Sequence, residues 1–247
     1  MAKQIQKKEN GSTPAARADA WTAGQEHLSR KDLVIPRIIV MQAVSEKVKE
    51  GEAKYGEIRD SVTFELLGYF DKPVRFTPFH LQRMWSVYEI AGKNRTYKEM
   101  IPVQSDPTKP DYNDDWKYKE ELNPLTSIER NRLMNFYVLL EGRNLPYVIT
   151  FKGASSRAGK QMATQMYMLN KEKGLSPAAY QMELLPKKQQ GKSGEFVSLE
   201  IRVSRGSTED EVNRAYGWYQ RIAGGGDDIK VDEVEATESS VSEPEHF

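Results

Sequence analysis

Short apolar runs of β-branched and aromatic residues, separated by turn residues, dominate the chain from residue 32 onward. LVIPRIIVM (33–41) reads as a strand, with a proline near its start as at a sheet edge. SVTFELLGYF (61–70) reads as the next. Between Pro73 and Ile90, Val74 and Phe76 share one parity, while Phe79, Leu81, Trp85 and Val87 share the other. A bulge near Pro78 reconciles the two, because one extra residue turns every later side chain to the opposite face. Gly92-Lys93-Asn94 forms a turn, and RTYKEMIPV (95–103) returns as the partner strand. Residues 104–127 hold Pro107, Pro110, Pro124 and many acids, which predicts a loop insertion. RLMNFYVLLEG (132–142) is almost continuously apolar, as in a central strand covered on both faces, and YVITF (147–151) pairs back across a turn.

The period then changes. Ala158, Met162, Met166 and Leu169 follow helical spacing over 155–174, with Ser155 or Ser156 as a cap and Gly174 as the stop. Strands follow at 178–186 and 195–203, joined by a polar, basic connection, KKQQGKSG (187–194). Thr208-Glu209-Asp210-Glu211 is a capping box that opens a helix over 207–222, with Val212, Ala215, Tyr219 and Ile222 on one face. Three successive glycines, 224–226, end the folded part. The fold class is therefore mainly β with accessory helices. Antiparallel strands with a helix before the last hairpin predict an OB-fold-like antiparallel β-barrel with disordered termini; an antiparallel sandwich is the alternative. The domain reading is a disordered N-terminal arm at 1–30, the barrel at 31–223 and a disordered acidic tail at 224–247.

Composition sharpens this picture in two places. The 247 residues include no cysteine, so disulfides and thiol chemistry are excluded. Net charge is zero, from 36 bases and 36 acids, yet residues 227–247 hold eight acids and one base, Lys230. The remaining 226 residues thus carry 35 bases against 28 acids, a net of +7. A basic body with an acidic end suits a chain that meets a polyanion. No apolar run approaches the roughly 18 residues of a membrane span, and the N-terminus lacks an apolar signal core, so a cytoplasmic location with no membrane partner is expected.

Catalytic patterns are absent. GKS at 191–193 lacks the upstream glycine of a phosphate loop, since Pro186 stands there. His27, His80 and His246 are scattered, and the acids of DYNDDW (111–116) lack the glycine and terminal glutamate of a calcium loop. The expectation is a non-enzyme without metal or cofactor. The positive signal is cations interleaved with rings. Arg75, Phe79, Arg83, Trp85, Tyr88, Lys93, Arg95 and Tyr97 follow one another within 75–98, with Trp85, Tyr88 and Tyr97 as exposed stacking rings. Single-stranded nucleic acid offers both unstacked bases and phosphates to such a surface. Lys187, Lys188 and Lys192 project from the last hairpin loop, Arg202 lies on its second strand, and Lys152, Arg157 and Lys160 surround a helix N-terminus.

The sequence ends on Phe247 after an acidic run. A glycine-marked junction, the acids Asp227, Asp228, Asp232, Glu233, Glu235, Glu243 and Glu245, and a last phenylalanine resemble the tails of bacterial and bacteriophage single-stranded DNA-binding proteins. The last residues here are Glu-Pro-Glu-His-Phe, whereas the bacterial tail ends in Asp-Asp, an apolar residue, Pro and Phe. The resemblance implies an OB-fold core that coats single-stranded DNA in phage replication, recombination or repair with little sequence preference. It implies a tail that recruits replication and recombination proteins. A strand-annealing recombination protein, or a phage structural or host-interaction protein that does not bind DNA, stands as the alternative. Homo-oligomerisation is left open.

Overall fold

In the computed structural model, residues 34–103, 117–123, 125–191, 194–223 and 230–231 are described. Twelve strands and three helices follow in the order β1 (Val34–Ile35), β2 (Arg37–Val40), α1 (Glu46–Lys49), β3 (Ile58–Asp60), β4 (Leu66–Gly68), β5 (Val74–Ala91), β6 (Asn94–Pro102), β7 (Lys117–Asn123), β8 (Thr126–Leu140), β9 (Pro146–Phe151), α2 (Ser156–Lys173), β10 (Tyr180–Gly191), β11 (Gly194–Gly206), α3 (Glu209–Ala223) and β12 (Lys230–Val231). The chain is mainly β, as its pattern predicts.

One ten-stranded sheet carries the molecule, in the order β11-β10-β5-β8-β9-β2-β3-β4, with β6 added beside β5 and β7 beside β8. The predicted closed, antiparallel barrel is not what forms. The sheet is mixed, because β2 runs parallel to β9, and β11 and β4 at its two ends share no ladder among the described residues. The cause lies in β5 and β8, which are 18 and 15 residues long. Each divides its length between two sets of partners. The start of β5 pairs with β10 through Val74–Phe76, and its far half pairs with β6 through Met84–Ala91. The end of β8 pairs with β9, and its start pairs with β7. A four-stranded arm, β6-β5-β8-β7, therefore leaves the body.

The free edge of β11 is met by side chains instead of a strand. The Gln42 amide donates to Val197 O and accepts from Val197 N, both at 2.9 Å. Ser155 Oγ accepts from Leu199 N at 3.0 Å, so it holds β11 and does not cap α2 as its position predicts. These bonds curl the sheet around its main core.

That core takes Val74, Phe76, Phe136, Val138, Ile149, Phe151, Met182, Leu184 and Ile201 from the strands and Ala158, Met162 and Met166 from α2. The opposite face packs Ile35, Phe79, Tyr137, Leu139 and Val148 against Ala215, Trp218 and Ile222 of α3. The parity switch in β5 is the bulge read from the sequence. The register against β8 breaks between Pro78 and His80; Phe76 faces α2 and Phe79 faces α3, and beyond the extra residue Leu81 returns to the α2 side. The capping box of α3 also forms, with Thr208 N donating to Glu211 Oε2 at 2.8 Å and Glu211 N to Thr208 Oγ1 at 3.3 Å.

Other expectations are corrected. The segment 61–70 holds a turn and then the short β4. Residues 117–123, read as loop, form β7, and β8 begins at Thr126, six residues before the apolar run. The 187–194 connection is not a free loop: β10 and β11 stay paired out to Gly191 and Gly194. Within the segment read as tail, Lys230–Val231 pairs in parallel with Val34–Ile35. Residues 1–30, Lys192, and the tail residues Asp227, Asp228, Asp232, Glu233, Glu235, Glu243, Glu245 and Phe247 lie outside the described residues. Among the described residues no helix is long and apolar enough to cross a membrane.

Candidate nucleic-acid interface

The cations and rings picked out by sequence fall into two groups pointing opposite ways. β10 runs antiparallel to β5, so its path from Leu184 to Gly191 leads away from the arm. Counting along the strands, about 19 residue rises separate Lys188 from Arg95, a path of roughly 60 Å at ~3.3 Å per residue.

In the arm the rings are inside. Trp85 is 2% exposed and Tyr88 7%, so the expectation that they are open stacking rings is corrected. The bulge in β5 and the split pairing put them on well-packed strand positions. Phe79 is likewise buried, against α3. The arginines lie over these rings: Arg95 sits 3.8 Å from the Tyr88 centroid and Arg132 5.0 Å from that of Trp85. Arg95 is also bound to Glu129 at 2.6 Å, and Lys98 to Glu89 at 2.5 Å. Tyr97 is half-buried, edge-on to Tyr88 at 5.8 Å. Arg83 and Lys93 are exposed.

At the end of the β10–β11 hairpin the layering is reversed. Lys187 and Lys188 are exposed and stand in ladder positions opposite Ser198 and Val197. The Lys188 ammonium lies 5.2 Å from the Phe70 ring centroid and 5.7 Å from that of Tyr55. Tyr69 packs edge-on to Phe70 at 4.9 Å, and Tyr55 lies tilted to Phe70 at 6.2 Å. All three rings are only half-buried. Gly56, at φ +86°, makes this possible: a Cβ there would strike the Phe70 ring. Burial and the neighbouring Glu195 carboxylate push the Tyr55 hydroxyl pKa up.

Sequence reasoning missed Tyr55, Tyr69 and Phe70, because the cations they meet come from a distant strand. The signal available was a ring beside a glycine at each place, Tyr55-Gly56 and Gly68-Tyr69-Phe70.

Acids temper both ends. Lys187 meets Glu200 at 3.4 Å, Lys188 meets Glu195 at 3.7 Å, and Arg202 meets Glu200 at 3.3 Å. Although burial opposes it, Arg202 and Lys187 hold the Glu200 carboxyl below its ordinary range. Arg75 is engaged with Glu183 at 3.1 Å and Glu141 at 3.6 Å, and the Glu183 hydrogen bond raises its pKa. Arg75 thus belongs to a network that continues through Glu141 and Arg205 to Glu211 at the start of α3.

The start of α2 joins the hairpin end and not the arm. Through Ser155 and Leu199 the turn at Gly153–Ser155 abuts β11, bringing exposed Lys152, Arg157 and Lys160 to the same side of the body. The hairpin end therefore has Lys188 over the Tyr55 and Phe70 rings, Lys187 on the opposite face of β10, and Lys152, Arg157 and Lys160 around the turn that meets β11 at Leu199. Such a surface can neutralise phosphates and receive a base face. Among the described residues no cluster of three or more His, Asp or Glu is placed to hold a metal ion.

No curated protein matches the chain. No solved structure matches it either. The model of one protein family, described as Pam3 phage gp34-like protein, matches residues 7–226, which takes in the body, the arm and α3 and stops where the glycine run ends. With nearly nine-tenths of its length inside that match, the chain belongs to the Pam3 phage gp34-like protein family and is a phage protein.

Proposed function

We propose that this phage protein binds single-stranded DNA without strong sequence preference, gripping it at the end of the β10–β11 hairpin. The observation that carries this reading is Lys188 lying over the half-buried Phe70 and Tyr55 rings, with Lys187 exposed on the other face of the same strand. A phosphate that draws the ammonium away uncovers a ring for the adjoining base, so one strand satisfies both groups at once. Stacking contributes ~1–3 kcal/mol per base, and each phosphate contact adds about 0.7 to the salt slope. A curled sheet with a helix before its last hairpin supports an OB-like way of holding the strand, gripped along the paired end of that hairpin.

The acidic segment ending at Phe247 suits recruitment of replication or recombination proteins in the host cytoplasm, its ring filling a pocket and its acids meeting bases. Its charge also suits competition with DNA for the hairpin end. Removing 227–247 is expected to tighten DNA binding, and deleting Phe247 alone to leave it intact while partner capture is lost.

The test is a titration of labelled oligo-dT, read by anisotropy at two salt concentrations. Trp85 is buried, so tryptophan quenching is not the readout of choice. Tight binding at low salt that falls steeply at high salt, and weakens at least tenfold in Lys187→Ala/Lys188→Ala, is the expected result. No binding at low salt sinks the proposal and returns the chain to a structural or host-interaction role.

A further inference from the structure

Helix α2 has one face to spare. Its buried residues, Ala158, Gly159, Met162, Met166 and Leu169, form a single stripe against the sheet. At 100° per residue, the face opposite that stripe carries Arg157, Lys160, Thr164, Tyr167, Met168 and Lys171. All six are exposed. Tyr167 is 64% exposed and Met168 44%, an open ring and thioether on a helix that has a full apolar stripe elsewhere. The single acid of α2, Glu172, lies to one side of this face. Its bases therefore form a line of one sign, and that line starts at the hairpin end, where Ser155 ties the helix to Leu199.

We infer that this face is a second stretch of the single-strand path, which leaves the Tyr55–Phe70 rings and runs along α2 with Tyr167 as a further stacking ring. The inference rests on the DNA-binding reading above. A line of like charge attracts a chain of the opposite sign. An isolated exposed tyrosine between cations offers a base what an apolar protein partner does not need. From Arg157 to Lys171 the helix rises about 20 Å, room for on the order of three nucleotides of extended strand. The occupant is thus the 3-nucleotide-scale continuation of a bound strand, not a separate molecule.

The experiment uses the full chain and oligo-dT of graded length, with Tyr167→Ala/Lys171→Ala compared with wild type and with Lys187→Ala/Lys188→Ala. Both α2 changes are at exposed positions, and a matched thermal unfolding curve checks the fold. In the α2 variant, affinity for the shortest bound oligonucleotides is expected to be unchanged. Its gain with length should stop about three nucleotides earlier, and its salt slope should fall by about 0.7. Tyr167→Phe should behave as wild type, because a phenyl ring stacks as a phenol does. An α2 variant identical to wild type at every length, while the hairpin variant weakens, overturns the α2 path and leaves the hairpin site standing. If the α2 changes matter only while residues 232–247 are present, the face is covered by the chain's own acidic segment and the path is likewise overturned. Wild type that binds no oligonucleotide brings down both readings together.

Discussion

The hairpin end and the arm are built from the same materials in opposite order. At the hairpin end, half-buried rings lie on the curled body with Lys188 above them. In the arm, Trp85 and Tyr88 are buried and arginines lie over their outer side. The hairpin end is anchored from two directions, by Gln42 and Ser155, and rests on the main core. In the arm, β6 and β7 take their ladders from β5 and β8, and Arg95 is bound to Glu129. A cation over a buried ring covers packing, whereas a cation over an accessible ring guards a place where another flat group can enter. Interleaved cations and rings in a sequence do not distinguish these cases; register and burial do.

The strongest way to break the comparison is to lift the body from under the hairpin. Gly159 lets α2 approach the sheet so closely that an added Cβ would lie 2.7 Å from Phe151 Cβ and nearer still to the Met134 methyl. Gly159→Ala is expected to cost about 1–3 kcal/mol of stability, as overpacking does, read by denaturant unfolding. Because Ser155 links α2 to β11, hydrogen exchange should quicken around Leu199 before it does in the arm. Equal loosening of both regions would show that they do not differ in their dependence on the core.

Next comes the exchange of rings between the two places. Tyr55→Ala/Phe70→Ala is expected to weaken oligo-dT binding by roughly tenfold or more, from ~1–3 kcal/mol per lost stacking ring. Tyr88→Ala should lower stability yet leave affinity within about threefold. The reverse result would move the interface to the arm.

A smaller effect is expected at Arg95. Its contacts with Glu129 and Tyr88 are half-exposed, worth about 0.5–1 kcal/mol together. Arg95→Ala should raise hydrogen exchange across Tyr88–Tyr97 and leave oligonucleotide affinity unchanged. A tenfold loss of affinity would assign Arg95 to DNA rather than to packing.

Which parts of this were legible follows from the physics of each segment. The bulge at Pro78 shows in sequence because a one-residue insertion leaves a parity break in apolar positions. The start of α3 shows because Thr208 and Glu211 must sit three apart to bond each other. β7 does not show, since KYKEELN is an edge strand whose residues Lys119–Asn123 are all exposed, leaving no alternation to read. The open sheet does not show because the choice of β5 to pair with both β10 and β6 is made between distant segments. The hairpin site proposed for DNA was half legible. Lys187 and Lys188 announce charge, but Tyr55 and Phe70 meet Lys188 only through pairings between segments far apart in sequence.

The last prediction concerns the joint between the two regions, where Phe79 of the bulge packs under α3. Glu211 fastens the start of that helix. Its carboxylate accepts from both Arg205 guanidinium nitrogens, at 2.7 and 2.9 Å, and from Thr208 N. Against the opposing effect of burial, these bonds, Arg205 first, bring its pKa down to about 2. A depressed carboxyl pKa favours the folded state above the unfolded value of ~4.3, and that contribution is lost as pH falls through the folded value. Acid between roughly pH 4 and 2 should therefore loosen α3 before the rest. Trp218, whose Nε1 donates to Asn144 O at 2.9 Å, reports the release through its fluorescence. Glu211→Gln should flatten that pH dependence and lower stability modestly at neutral pH, since Arg205 is open to solvent, which screens the pair. Because α3 packs beside β5 at the bulge and not at either end, oligonucleotide binding by the hairpin in Glu211→Gln should match wild type at neutral pH. A loss of binding there would mean that the joint, and not the hairpin end alone, sets the shape of the interface.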